Sequence, residues 1–177
     1  ATGKRDRLAS SLPTLPKLFA AAGFATAAVV ANGYVSPTFG FAEGFDDFVF
    51  LSDVETRAAE VHDRALEWLD GRGADAPFTS RVHTLDPHTS YDPPQPDHGR
   101  FAPGVRDLEL GSRDRVNALL RGEREITPEL VADLEALYDG EIAYADRQLG
   151  VFFDELAARG LYEDSMIVFL SDHGEEF

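Results

Sequence analysis

Residues 127–160 carry the feature that most limits what this chain can fold into. Thr127 is a helix-capping residue type and Pro128 suits a first helical turn. Behind them Leu130, Leu134, Tyr138, Ile142, Ala145, Leu149, Phe152 and Leu156 recur every three or four positions as far as Gly160. That spacing predicts one long amphipathic helix. Ser165 then opens the run Met166-Ile167-Val168-Phe169-Leu170, rich in β-formers and too short for a buried helix, and Ser171-Asp172-His173-Gly174-Glu175 follows it directly. A helix, an interior strand and a polar turn at the strand's carboxyl end predict an α/β fold with a largely parallel central sheet, which places its ligand crevices at such strand ends.

The upstream half repeats the pattern on a smaller scale. Thr14 precedes Leu15 and Pro16, and Leu15, Leu18, Phe19 and Ala22 keep helical spacing up to Gly23, so a short helix capped by Thr14 is expected. Residues 24–31 end in Val29-Val30-Ala31 and read as a buried parallel strand. Residues 32–50, irregular in spacing and punctuated by Gly33, Pro37, Gly40 and Gly44, read as a packed loop. Asp53 is expected to cap a helix reaching about Leu69, with Val54, Ala58, Val61, Ala65, Trp68 and Leu69 inward. Residues 78–85 read as a second strand, and the proline- and glycine-rich stretch 93–125 as a long surface excursion.

Composition excludes several functions. The 177 residues hold 16 basic and 32 acidic side chains, a formal charge of -16 that repels nucleic-acid phosphates and anionic membranes. No Cys is present, so no disulfide, thiolate metal site or cysteine nucleophile lies within these residues. No stretch reaches the ~20 apolar residues of a membrane span, and a cytoplasmic location is slightly favoured with the compartment otherwise open. The chain starts without Met and stops soon after the Asp-His-Gly turn, so it is expected to be a single-domain piece truncated at both ends. Oligomeric state stays open.

Two places invite chemistry. Asp172 and His173 set a hard oxygen donor beside an imidazole in a turn that Gly174 lets bend, a pair that suits a divalent cation but also forms an ordinary capped turn. His83 and His88 flank Thr84-Leu85-Asp86-Pro87 at the end of the second strand. A histidine in a proline-stiffened loop can donate to an oxyanion or act as a general acid, or can simply be a surface histidine. Glu175 and Glu176 are expected to open a further helix, and Asp46 and Asp47 to be structural.

In order along the chain, the segments LPTLPKLFAAAGFATAAVVA (12–31), GFAEGFDDF (40–48), HTLDPHTSYDPP (83–94), YDGEIAYADRQLGVFFDELAARGLYEDS (138–165) and MIVFLSDHGEEF (166–177) resemble the sulfatases of the alkaline-phosphatase superfamily. The resemblance implies an incomplete three-layer sandwich of that type and hydrolysis of sulfate monoesters, with small-molecule or carbohydrate sulfate esters as substrates. It implies that Asp172 and His173 are two ligands of one divalent metal ion, Ca²⁺ foremost. His88 then looks like the sulfate-contacting histidine with a catalytic role, and His83 a further sulfate contact. The family nucleophile, a formylglycine made from a Cys/Ser-x-Pro-x-Arg motif, is expected upstream. Here the nearest approach is Ser11, Pro13 and Leu15, with Leu where Arg belongs. The 177 residues alone are therefore expected to be inactive.

Two other readings stand beside this one. A phosphomonoester or phosphodiester hydrolase, or a phosphoglycerol transferase, of the same superfamily would use a related turn with Zn²⁺ or Mn²⁺. A non-catalytic acidic interaction domain would use Asp172, His173 and His88 as turn residues only. Eighteen of the acids are Asp and only Lys4 and Lys17 of the cations are lysines, a bias that resembles proteins of high-salt cytoplasm. Salt screens such self-repulsion, so the denaturation midpoint should be higher in molar KCl than in dilute buffer. Equal midpoints would remove the halophilic reading.

Overall fold

In the computed structural model, which describes residues 6–51, 56–73, 76–107 and 109–177, the chain forms two compact units, Ala1–Leu85 and Asp86–Phe177. The first is built on a parallel sheet. Helix α1 (Leu15–Ala21) leads into β1 (Ala25–Val30), then β2 (Asp47–Phe50), α2 (Ala58–Gly71) and β3 (Phe78–His83). The strand order is β2-β1-β3, with Val29 in register with Val49 on one side and Val82 on the other. β1 is the interior strand: Ala27, Ala28, Val29 and Val30 are all buried, and α1 and α2 both pack against it. A fully buried Val contributes about 1.5–3 kcal/mol through apolar area removed from water, which accounts for small aliphatics throughout β1.

The sequence reading needs correction here. Residues 47–50, placed in a loop, are a parallel strand, and residues 33–35 and 37–39 form single 3₁₀ turns. Thr14 holds the cap position of α1, but its hydroxyl makes no capping bond and is buried without a partner. α2 begins at Ala58 behind Arg57, while Asp53 and Val54 lie outside the described residues. Asp46 and Asp47 are both engaged in structure. The Asp46 carboxylate accepts the Thr26 N–H and hydroxyl, each at 2.9 Å, and Asp47 Oδ2 accepts the Trp68 indole N–H at 2.9 Å. Lys17 fastens the loop before α1, donating to the carbonyls of Ser10 and Leu12 and to Glu43 Oε2 at 2.5, 3.3 and 3.2 Å.

The second unit is helical: α3 (Asp97–Phe101), α4 (Arg113–Leu120) and α5 (Pro128–Ala158). The predicted long helix is α5, 31 residues or about 46 Å long. Thr127 caps it, accepting the Leu130 N–H at 3.3 Å, which is worth about 1 kcal/mol. At the other end Gly160, at φ +67°, turns the chain so that the Leu161 N–H reaches the Leu156 carbonyl at 2.9 Å. The buried face keeps Leu134, Phe152 and Leu156 of the predicted stripe and departs from it over the middle of the helix. Leu134, Leu137, Glu141 and Tyr144 point inward, while Ile142 is exposed. Residues 93–125 are more than a surface excursion, since Ala102, Val105, Leu110 and Leu119 form one core with Tyr91, Leu134 and Leu137.

Residues 166–170 are not a strand. Among the described residues they make no ladder, and their side chains are exposed, Met166 by 92% and Leu170 by 82%. Composition marked the run for burial, but a strand forms only beside another strand, and 86–177 contains no strand among its described residues. No helix among the described residues is long and apolar enough to cross a membrane.

Two glycines of α5 separate packing from propensity. A Cβ on Gly140 would lie 2.7 Å from Pro93 Cγ, whereas one on Gly150 would meet nothing within 4 Å. Gly150→Ala should therefore stabilise by about 0.5–1 kcal/mol, and Gly140→Ala should destabilise by about 1–3 kcal/mol through overpacking. Urea unfolding of both variants checks this, and shifts of the same sign would refute the packing argument.

Candidate functional site

Asp172 and His173 lie where the chain leaves the extended run, in a turn fastened by its own polar groups. The Ser171 hydroxyl donates to the His173 carbonyl at 2.5 Å, and Asp172 Oδ1 accepts the His173 N–H at 3.1 Å. His173 Nδ1 lies 2.7 Å from the Gly174 carbonyl. A carbonyl can only accept, so Nδ1 carries the proton and the neutral ring offers its lone pair at Nε2. Asp172 Oδ1 is 3.9 Å from that Nε2, which sets a carboxylate oxygen and an imidazole nitrogen side by side. The His173 pKa is raised above the ordinary 6.5, first by the Gly174 carbonyl and then by the Asp172 charge. Both side chains are largely exposed.

His88 stands in an exposed loop after β3 and repeats the arrangement. Its Nδ1 lies 3.1 Å from the Thr89 carbonyl, so this ring too presents Nε2. Arg113 braces the loop, Nη2 donating to the Thr89 carbonyl at 3.2 Å and its backbone N–H to Ser90 Oγ at 3.3 Å. His83 ends β3, partly buried, with its carbonyl accepting the Ala31 N–H at 3.1 Å. It belongs to Ala1–Leu85, and the other three belong to Asp86–Phe177.

Asp172 and His173 are thus adjacent, and among the described residues no three His, Asp or Glu side chains converge as a group able to hold a metal ion. The turn supplies two donors of the type a divalent cation takes. A cleft of about 580 Å³ between α3 and α5, with Asp97, Arg100, Phe101, Ile142 and Arg147 among its lining, includes none of the four predicted residues. Asp97 and Arg147 form an ion pair there.

Two contacts escaped the sequence reading. Glu141, 1% exposed, accepts the Asp92 N–H at 2.8 Å, and the Tyr91 hydroxyl donates to Glu175 Oε2 at 2.6 Å. The 3–4 spacing of Leu134, Leu137 and Tyr144 marks position 141 as inward and could have revealed the first. Nothing local announces the second.

A sulfatase family profile matches residues 2–177, and the chain belongs to that family. A comparison with curated proteins gives no match. Among solved structures the chain is similar to BT4656 in complex with its substrate D-glucosamine-2-N,6-O-disulfate. The two share 15% identity with a TM-score of 0.65, over 92% of this chain and 50% of that one. At that identity the likeness is one of fold, an α/β arrangement with a small parallel sheet and its helices. The chain spans about half the length of that relative.

The electrostatics of the turn can be checked without any ligand. Asp172→Asn removes one of the two main causes that raise the His173 pKa and leaves the larger, the Gly174 carbonyl. The pKa should fall yet stay above that of an unstructured histidine. An NMR titration of the His173 ring reads this directly, and an unchanged or higher value would contradict it.

Proposed function

We propose that this chain is part of a metal-dependent sulfuric ester hydrolase, with Asp172 and His173 contributing two ligands of one divalent cation and His88 and His83 contacting the sulfate. The observation that carries the reading is the sulfatase profile matching 2–177, a span that includes both histidine loops and the Asp-His turn. The family resemblance points to Ca²⁺, which the carboxylate suits, while the imidazole leaves Mn²⁺ or Zn²⁺ as the alternative. When bound, the cation would offset charge on the ester oxygens.

The remaining steps belong to side chains of this chain. Among the described residues the one cationic neighbour of the Asp172 carboxylate is His173, which presents Nε2 once its ring is neutral. Because the folded ring holds its proton above the ordinary pKa, cation affinity should rise with pH through that raised value. His88, with Nδ1 committed to Thr89, can donate to a sulfate oxygen only from Nε2 and only when the ring is protonated. No Cys/Ser-x-Pro-x-Arg segment occurs in the sequence, so the bond-forming group is not among these residues and the 177-residue chain alone should not turn over. A carbohydrate or small-molecule sulfate ester is the proposed substrate class. The disulfated glucosamine bound to the structural relative supports the carbohydrate option.

The test is binding. In the presence of Ca²⁺, inorganic sulfate should shift the His88 ring resonance, and Asp172→Ala should weaken Ca²⁺ binding at least tenfold by calorimetry, within the ~10–100-fold range typical of disturbed metal sites. A His88 resonance that sulfate leaves unmoved at saturating Ca²⁺ would sink the reading, and sulfate-ester turnover by the isolated chain would sink its half-site form.

A further inference from the structure

The loop that carries His88 and the turn that carries Asp172 are fastened to each other three residues beyond those side chains. Tyr91 lies three positions after His88, Glu175 three after Asp172, and the Tyr91 hydroxyl donates to Glu175 Oε2 at 2.6 Å across 84 residues of sequence. That distance is expected for a hydroxyl donating to an ionised carboxylate.

The tyrosine end of this bond is fixed. Tyr91 is 3% exposed, and its backbone N–H donates to the Gly111 carbonyl at 2.9 Å. The next N–H, that of Asp92, donates to the buried Glu141. Phe177 joins the same aromatic group, its ring 5.8 Å from Tyr91 and 5.4 Å from Tyr138. Burial, and secondly the bond to Glu175, push the Tyr91 hydroxyl well above its ordinary pKa, so it remains a donor.

The turn end has no comparable anchor of its own. Among the described residues the hydrogen bonds of the Ser171, Asp172 and His173 side chains are all made within the turn. The run before it, residues 166–170, is exposed and outside any helix or strand. Among the described residues, what ties the turn to a packed core is the Tyr91–Glu175 bond and the Phe177 ring.

We propose that Tyr91 and Glu175 are positioning residues, holding the cation-binding turn at a set distance from the His88 imidazole. This role rests on the reading of Asp172, His173 and His88 given above. Its value is geometric, because displacing groups that act on one substrate by about 1 Å can cost on the order of 100-fold in rate.

The experiment uses the whole 177-residue chain and three variants: Tyr91→Phe, which removes only the hydroxyl, Glu175→Ala, and Glu175→Gln, which keeps an acceptor oxygen. Without metal, the {1H}–15N NOE at residues 172–177 should fall in the first two and stay near the wild-type value in the third. With Mn²⁺ added, the ring resonances of His173 and His88 should both broaden in wild type. In Tyr91→Phe and Glu175→Ala the broadening at His88 should drop while that at His173 persists, since the effect falls steeply with distance. His88 broadening equal to wild type in both variants, or an NOE unchanged in both, overturns the positioning role alone. A wild-type His173 that stays sharp at saturating Mn²⁺ overturns the cation reading, and the positioning role with it.

Discussion

A carboxylate with one per cent of its surface exposed must be met by donors inside the protein, and Glu141 is met by the backbone of the loop it supports. A polar group left unpaired at that depth costs about 1–3 kcal/mol, which favours keeping the Asp92 N–H on the Glu141 oxygen. The constraint runs outward from there. Tyr91, one residue earlier, is held between Gly111 and the core, its hydroxyl faces Glu175, and Gly140 lets Pro93 press directly on the α5 backbone. Helix α5 thus serves as the bench on which the loop between His88 and Pro94 is set, and its least typical core residue is the one that does the setting.

What the sequence disclosed follows from how local each signal is. The span of α5 was readable because Thr127, the 3–4 spacing and Gly160 all speak of the same helix, and β1 because an interior parallel strand is apolar without alternation. The middle of α5 was read one step off, with Tyr138 and Ile142 on the stripe in place of Leu137 and Glu141, because a buried carboxylate adds no apolar signal to the spacing. β2 escaped because four residues, Asp47–Phe50, follow immediately on a glycine- and aromatic-rich loop and owe their strand form to β1. Residues 166–170 failed in the opposite sense: β-rich composition expresses a demand for neighbours, and demand is not supply. Of the site, the Asp-His-Gly turn and the His88 loop were legible as motifs, while the bond between them joins residues whose separation no pattern can encode.

The paired aspartates after Gly44-Phe45 illustrate how chemistry and structure draw on the same residue types. Adjacent carboxylates suggest a cation site, yet successive positions entering a strand face opposite ways. Asp46 clips the edge of β1 at Thr26, and Asp47 accepts the indole of Trp68 from α2. Each oxygen pair has found a neutral donor within the fold. The contrast with Asp172 is physical: among the described residues that carboxylate accepts from the residue beside it, and it is largely exposed.

Lys17 gives the acidic surface an unexpected corollary. Its ammonium has three protons and three acceptors, Ser10, Leu12 and Glu43, and the other lysine of the chain, Lys4, lies outside the described residues. Positive charge on the described surface is therefore guanidinium in kind: flat, delocalised and weakly hydrated, suited to forked pairing and to lying on rings as Arg72 does over Phe78. Strongly hydrated cationic points are almost absent from it, so the water bound by this protein's ionic groups is organised chiefly by carboxylates.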